Sequence, residues 1–267
     1  MFNIEFLHVI RHHEIAMISR YLRPGARVLE LGGGTGYQAK LLSERGFDVT
    51  SIDLPTTNYR EHQVYPVIPY DGRHFPFADR SFDVVFSSNL LEHVEDLAAL
   101  HRETARVLKP DGYAVHVMPT SAWRLWTMMT HYTEMVQRIA AEMAPHLLPL
   151  GRRSLRSALR SATAQPAGGS SIRSAIRNAV GIARYCAIAP RHGEKGNALT
   201  ELFWFSNARW RRHFAAHRLL TEQEKAMGLF YTGHMLLGRH LSLRAREGVA
   251  RLAGSACRLW VVKFPRE

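Results

Sequence analysis

"LELGGGTG", residues 29–36, places four glycines in a five-residue span directly after an apolar run. A glycine-rich turn at a strand end lets the backbone come very close to a ligand, because no Cβ stands in the way. Before it, "RVLEL" (27–31) is a short β-prone run. After it, "YQAKLLSERG" (37–46) sets Ala39, Leu41 and Leu42 among polar residues and stops at Gly46, a helix-ending glycine. "FDVTSIDLP" (47–55) reads as a second strand ended by a proline. Strand, tight turn, helix and strand within about 30 residues make a βαβ unit, with a right-handed crossover and parallel strands.

Later segments keep this rhythm. "SFDVVFSSN" (81–89) reads as a buried strand, "LEHVEDLAALHRETARVLKPDG" (91–112) as a helix closed by Lys109-Pro110-Asp111-Gly112, and "YAVHVMP" (113–119) as a further strand. The alternation predicts an α/β, Rossmann-like doubly wound sheet with helices on both faces and ligand at the carboxyl ends of the strands.

Composition bounds the rest. With 267 residues, 46% of them hydrophobic, the chain can bury the core of one large domain, or of one domain with a big insertion. Cys186 and Cys257 are too few for a disulfide framework. The opening "MFNIEFLHVIRHHEIAMISRYL" carries Glu5 and Glu14 and does not read as a signal peptide, and no run approaches a membrane span. A cytoplasmic protein is expected. The net charge of +12 is uneven: residues 1–120 hold 12 basic and 15 acidic side chains, residues 121–267 hold 23 and 8. Such asymmetry predicts a second half facing an anionic partner, whether nucleic acid, an anionic membrane surface or an acidic substrate, or else a solvated arginine-rich surface.

Three ligands compete for the glycine turn. A phosphate loop needs Gly-x4-Gly-Lys-Ser/Thr, but Tyr37-Gln38 follows Gly36. A dinucleotide fingerprint needs Gly-x-Gly-x-x-Gly; Gly32 and Gly34 fit, and the third position falls on Tyr37. What remains is Glu30-x-Gly32-x-Gly34-x-Gly36, with Asp53 at the end of the next strand, where a carboxylate can accept both hydroxyls of a ribose. Adenosine held there would lay a methionine tail across the turn, which points to S-adenosylmethionine.

These residues resemble the class I S-adenosylmethionine-dependent methyltransferases. "VLELGGGTGYQAKLLSERGFDVTSIDL" is similar to the family's first motif and its ribose-binding acid. "YDGRHFPFADRSFDVVFSSNLLEHVEDL" is similar to the middle motifs of the small-molecule, ubiquinone-biosynthesis-like branch, and "RVLKPDGYAVHVMPT" to the segment that follows. The likeness spans about residues 10–120. It implies that Gly32, Gly34 and Gly36 line the methionine portion and that Glu30 lies near its ammonium. It also implies that Asp53 holds the ribose, that Leu54 flanks the adenine, that Asp71 with Gly72 meets the adenine amino group, and that Asn89 approaches the methionine end. The alternative for Asp71 and Asn89 is turn capping. His93, in "NLLEHV", is a candidate base or a structural residue at a helix start.

After Pro119 the alternation stops. The sequence predicts three parts: a cofactor-binding core at 1–120, a helical basic insertion or acceptor lid at 121–200, and a return to the core at 201–267. "SAWRLWTMMTHYTEMVQRIAAEMAPHLLPL" (121–150) has helical periodicity. Its Trp123, Trp126, Met129 and Met135 either line an acceptor pocket or simply pack. Residues 151–185 read as two basic amphipathic helices parted by "AQPAGGSS", suited to an anionic membrane surface, an acidic partner or solvent. Aromatic interleaving for base stacking is absent until Trp204, which argues against nucleic acid.

The polar loop His192-Gly193-Glu194-Lys195-Gly196-Asn197 resembles a segment of methyltransferases from bacterial surface-glycan and lipid pathways. His192, Glu194 and Asn197 could face an acceptor there, with His192 or Glu194 as base, or the loop could be held only by its own hydrogen bonds. It lacks a helical His-x3-His and has few carboxylates, so no metal site is expected. "RLWVVKF" (258–264) reads as a returning edge strand.

The expected activity is methyl transfer from S-adenosylmethionine to an oxygen or nitrogen of a small or lipid- or glycan-linked acceptor. The alternatives are RNA or protein methylation through the basic half, or a cofactor-fold scaffold docking on a membrane.

Overall fold

The computed structural model describes residues 4–56, 60–152, 176–178, 180–181, 189–234 and 238–265. Two compact units emerge: Met1–Trp126 with Arg191–Glu267, and Thr127–Pro190.

In the first unit, α1 (Ile4–Ile18) precedes β1 (Arg27–Leu31), α2 (Tyr37–Ser43), β2 (Asp48–Asp53), β3 (Val67–Pro69) and β4 (Phe82–Ser88). A short helical turn, Leu91–His93, leads to α3 (Leu97–Val107) and β5 (Leu108–Pro119). After the first turns of α4 (Ser121–Arg152), the chain re-enters this unit through α5 (Glu201–Trp204) and α6 (Asn207–Ala216). It finishes with β6 (Leu220–Ala226), α7 (Leu243–Ala253) and β7 (Cys257–Lys263). The seven strands form one sheet in the order β3-β2-β1-β4-β5-β7-β6.

The first five strands are parallel, as the βαβ reading predicts. β7 pairs antiparallel with both β5 and β6, so the sheet is mixed. This corrects the expectation for 258–264: β7 is interior, buried at Leu259, Trp260, Val261 and Val262, and the edge is β6. Sequence pattern passed over β6 because "LTEQEKA" has almost no apolar content. Its acids instead pair with basic groups of neighbouring elements, Glu224 with Arg258 and Arg211 and Glu222 with Lys263, and such charge protects a strand edge.

Alternation along the strands splits the core between the two faces of the sheet. Val28, Val49, Val84 and Phe86 pack with Ile10, Ile15, Leu41 and Leu42 of α1 and α2. Leu29, Ile52, Val85 and Trp260 pack with Leu97, Leu100, Trp210 and Phe214 of α3 and α6. α3 is shorter than the sequence suggests. It begins only after Asp96, whose carboxylate accepts from the Ala99 amide at 2.9 Å. It ends at Val107, because Leu108 is extended and Lys109 precedes a proline, which disfavours helix. Residues 108–112 therefore enter β5 rather than closing the helix.

In the second unit α4 continues to Arg152, and the Asn178 amide donates to Glu142 at 2.9 Å. The two basic amphipathic stretches fall almost wholly outside the described residues. No described helix is long and apolar enough to cross a membrane.

Candidate functional site

The glycine turn leaves β1 at its carboxyl end. The amides of Gly32 and Gly33 donate to the Ile52 carbonyl at 2.9 and 3.1 Å, which ties the turn to the adjacent β2. Gly33 passes so close to that strand that a Cβ would lie 2.0 Å from Ser51 Oγ. Gly36 has φ +73°, and a Cβ there would lie 2.8 Å from the Tyr65 backbone oxygen. A side chain at Gly33 would displace Ser51, and at Gly36 it would meet backbone in a left-handed conformation, so both positions favour glycine.

Asp53 ends β2, and the Gly34 amide donates to its Oδ2 at 2.8 Å while the Leu54 amide donates to Oδ1 at 2.7 Å. The spacing read from sequence is thus a direct hydrogen bond between turn and carboxylate. A carboxylate has about four acceptor sites, so each oxygen keeps capacity for one hydroxyl of a vicinal diol. Leu54 is exposed beside it, and a Cβ on Gly72 would meet Leu54 Cδ2 at 2.8 Å. Leu54 and Gly72 thus form one wall next to Asp53.

Asp71 is exposed. Its Oδ1 accepts from the amides of Arg73 and His74, both at 2.7 Å, and these bonds hold its carboxyl down at about 2. It caps its own turn, and its Oδ2 faces His74 Nδ1 at 3.1 Å.

Glu30 is buried within β1 and accepts from Ser51 Oγ at 2.6 Å. Burial pushes its carboxyl up to about 7, with the Asp53 charge adding to the rise and Ser51 and Arg11 opposing it. A cationic ligand group beside it would restore the ionised form.

A buried polar network faces the carboxyl ends of β4 and β5, and sequence reasoning missed most of it. Arg11 of α1 pairs with Glu14 at 2.6 Å and reaches Ser88 Oγ at 3.3 Å. The Asn89 side-chain amide lies against Arg11, and with its oxygen turned toward the guanidinium it accepts from Nη2 at 2.7 Å. Asn89 holds φ +52°, a left-handed conformation that asparagine tolerates. Tyr231 donates its hydroxyl to Glu14 at 2.8 Å and lies 3.0 Å from Cys257 Sγ. Burial raises both the Tyr231 hydroxyl and the Cys257 thiol, so neither is ionised at neutral pH. The signal available in the sequence was Glu14, an acid inside the apolar "EIAMI".

The structure brings His93 and His192 together, with ring centroids 4.8 Å apart. His93 closes the turn after β4. His192 stands edge-on to Trp123 at 4.6 Å, and its amide and that of Gly193 both donate to Glu201 Oε1 at 2.7 Å. Glu201 is fully buried and ion-paired with Arg124 at 2.7 Å. Burial lowers His93 and takes His192 down to about 4, so both are neutral bases. The Glu194 amide donates to the Glu92 carbonyl at 2.9 Å, which pins the polar loop to the Leu91–His93 turn, while its carboxylate lies 3.8 Å from Arg191. Asn197 uses its side-chain oxygen to accept from the Leu199 and Thr200 amides, so it caps its own turn ahead of α5.

A family model described as a methyltransferase domain matches residues 6–163. The chain belongs to the methyltransferase family. The demethylmenaquinone methyltransferase of Corynebacterium urealyticum is 41% identical over 93 residues, covering 34% of this chain and 40% of that protein. The enzyme of the same name from Corynebacterium kroppenstedtii is 36% identical over 124 residues, covering 46% and 54%. The chain thus spans about half the length of these curated relatives. Among solved structures, an S-adenosylmethionine-dependent methyltransferase from Mesorhizobium loti aligns over 94% of this chain and 98% of its own, with a TM-score of 0.50 and 16% identity. That likeness shows the shared fold.

Proposed function

We propose that this methyltransferase-family chain transfers the methyl group of S-adenosylmethionine to an oxygen or nitrogen of a small acceptor. The observation that carries the reading is the Gly34–Asp53 hydrogen bond, which fixes a half-used carboxylate at the mouth of a turn whose Gly33 and Gly36 leave no room for a Cβ. Two relatives are demethylmenaquinone methyltransferases, which supports a small-molecule acceptor here as well.

S-adenosylmethionine brings a methyl group on a sulfonium, whose leaving group is already activated. The chain's own work is binding, alignment and exclusion of water, and alignment alone supplies about 7–11 kcal/mol. Asp53 would take the ribose hydroxyls, Leu54 and Gly72 would wall the adenine, with Asp71 at its amino group, and Glu30 would meet the ammonium. Gly32, Gly34 and Gly36 would floor the methionine tail, and Asn89, held by Arg11, would stand at its far end. His93, His192 and Glu194 are the groups available to take a proton from an acceptor. The basic 121–200 segment would serve an anionic acceptor, or hold the protein against an anionic membrane surface.

Titration calorimetry with S-adenosylmethionine tests the reading. Asp53→Ala removes two charge-assisted bonds of about 1.5–3 kcal/mol each, so affinity should fall by about a hundredfold or more. Equal affinity in the two proteins would overturn the assignment.

A further inference from the structure

The Leu91–His93 turn carries a group that methyl transfer alone does not use. Glu92 points inward with 1% of its side chain exposed, and among the described residues neither carboxylate oxygen has a hydrogen-bond partner. A buried, unpartnered carboxylate is costly, and proteins relieve it with a proton or a cation. Arg11 acts on it only through its field and is itself paired with Glu14. Nearer are two imidazoles: His93 Nε2 lies 3.8 Å from Glu92 Oε1, and one donor atom from each of Glu92, His93 and His192 falls within 4.8 Å of the others.

We propose that Glu92, His93 and His192 form a binding site for a divalent transition-metal cation. Bonds of about 2.0–2.2 Å around a tetrahedral ion put ligand atoms about 3.4 Å apart. The Glu92–His93 pair is within a few tenths of an ångström of that, and the remaining separations, up to 4.8 Å, require both exposed imidazoles, His93 and His192, to turn inward on the ion. Two imidazoles and one carboxylate suit zinc, cobalt, manganese or ferrous iron, whereas magnesium and calcium prefer an all-oxygen shell. Imidazole ligates through its neutral form, and each ring offers one nitrogen to the ion.

The surroundings hold the donors in place, as outer contacts do around metal ligands. The Glu194 amide grips the Glu92 carbonyl, Glu201 anchors the His192 backbone, and Trp123 stands against the His192 ring. Three protein ligands leave open positions, the arrangement of a working metal rather than a structural one. Orienting an acceptor oxygen there is a use that rests on the methyl-transfer reading; the binding of the ion does not.

The test uses the full, untagged chain, stripped with chelator and titrated with cobalt chloride while its visible absorption is followed. The expected result is one Co2+ per chain, displaced by Zn2+. Glu92→Gln and His192→Asn should each weaken binding a hundredfold or more, and His213→Asn, outside the site, should not. Absence of micromolar Co2+ binding to the wild-type chain overturns the proposal, as does binding that survives both substitutions. Circular dichroism of the same stripped samples reports folding. S-adenosylmethionine affinity reports separately on the methyl-transfer reading, so failure of one does not pass for failure of the other.

Discussion

If Glu30 meets the cofactor, as proposed, binding should depend on pH. The Glu30 carboxyl sits near 7 because burial in β1 and the neighbouring Asp53 charge disfavour ionisation more than Ser51 and Arg11 favour it. If it meets the ligand's ammonium, the complex needs the carboxylate, and the free protein below pH 7 must first release a proton. A carboxyl titrating at about 7 is about nine-tenths protonated at pH 6 and one-tenth at pH 8, so affinity should rise about tenfold between the two, or about 1.4 kcal/mol. Calorimetry in buffers of different ionisation enthalpy measures the second signature, about half a proton released per ligand at pH 7. Glu30→Gln should flatten the profile, leaving the lower affinity at every pH. A wild-type affinity constant from pH 6 to pH 8, or the same slope in the variant, would refute the placement of the ammonium at Glu30.

Two further outcomes can be checked by denaturation. Gly33→Ala drives a methyl into Ser51 Oγ and should cost about 1–3 kcal/mol in urea unfolding. Adding Ser51→Ala removes the 2.0 Å clash and should recover part of the loss. The second outcome concerns pH. His101 and His116 are buried and held down to about 4 and about 3 by desolvation, and each is lowered further by nearby histidines. Unfolding raises them to their ordinary value, so the unfolded chain binds more protons once the pH falls below about 6.5. Their stabilising contribution is then full above that pH and shrinks by about 1.4 kcal/mol per histidine per unit below it. Unfolding followed from pH 7 to pH 5 should show that loss, reduced in His116→Gln.

The part of the site built on local sequence was legible. The glycine turn, Asp53 and Glu30 lie on consecutive strands, where chain order and spatial order coincide, and the Gly34–Asp53 spacing became a hydrogen bond. Asp71 and Asn197 show the limit of that method, since a residue suited to a ligand is equally suited to capping its own turn. What the sequence hid is non-local. Arg11, Tyr231 and Cys257 meet only because β7 is inserted beside β5, and Glu92 gains its significance from the distant His192. β6 escaped notice because edge strands are stabilised by one neighbour and by charge, neither of which leaves an apolar period.

The interior position of β7 has a consequence for biogenesis. β6 pairs only with β7, and β5 has β7 as its outer neighbour, so until Cys257–Lys263 leaves the ribosome both strands present unpaired edges. Synthesis at about 5–20 residues per second makes that interval a matter of seconds, in which the nascent chain is exposed to edge-to-edge association. The β1–β2 half, with its glycine turn and Asp53, can pair long before that. The Arg11–Glu14–Tyr231–Cys257 network closes only when β7 slots between β5 and β6.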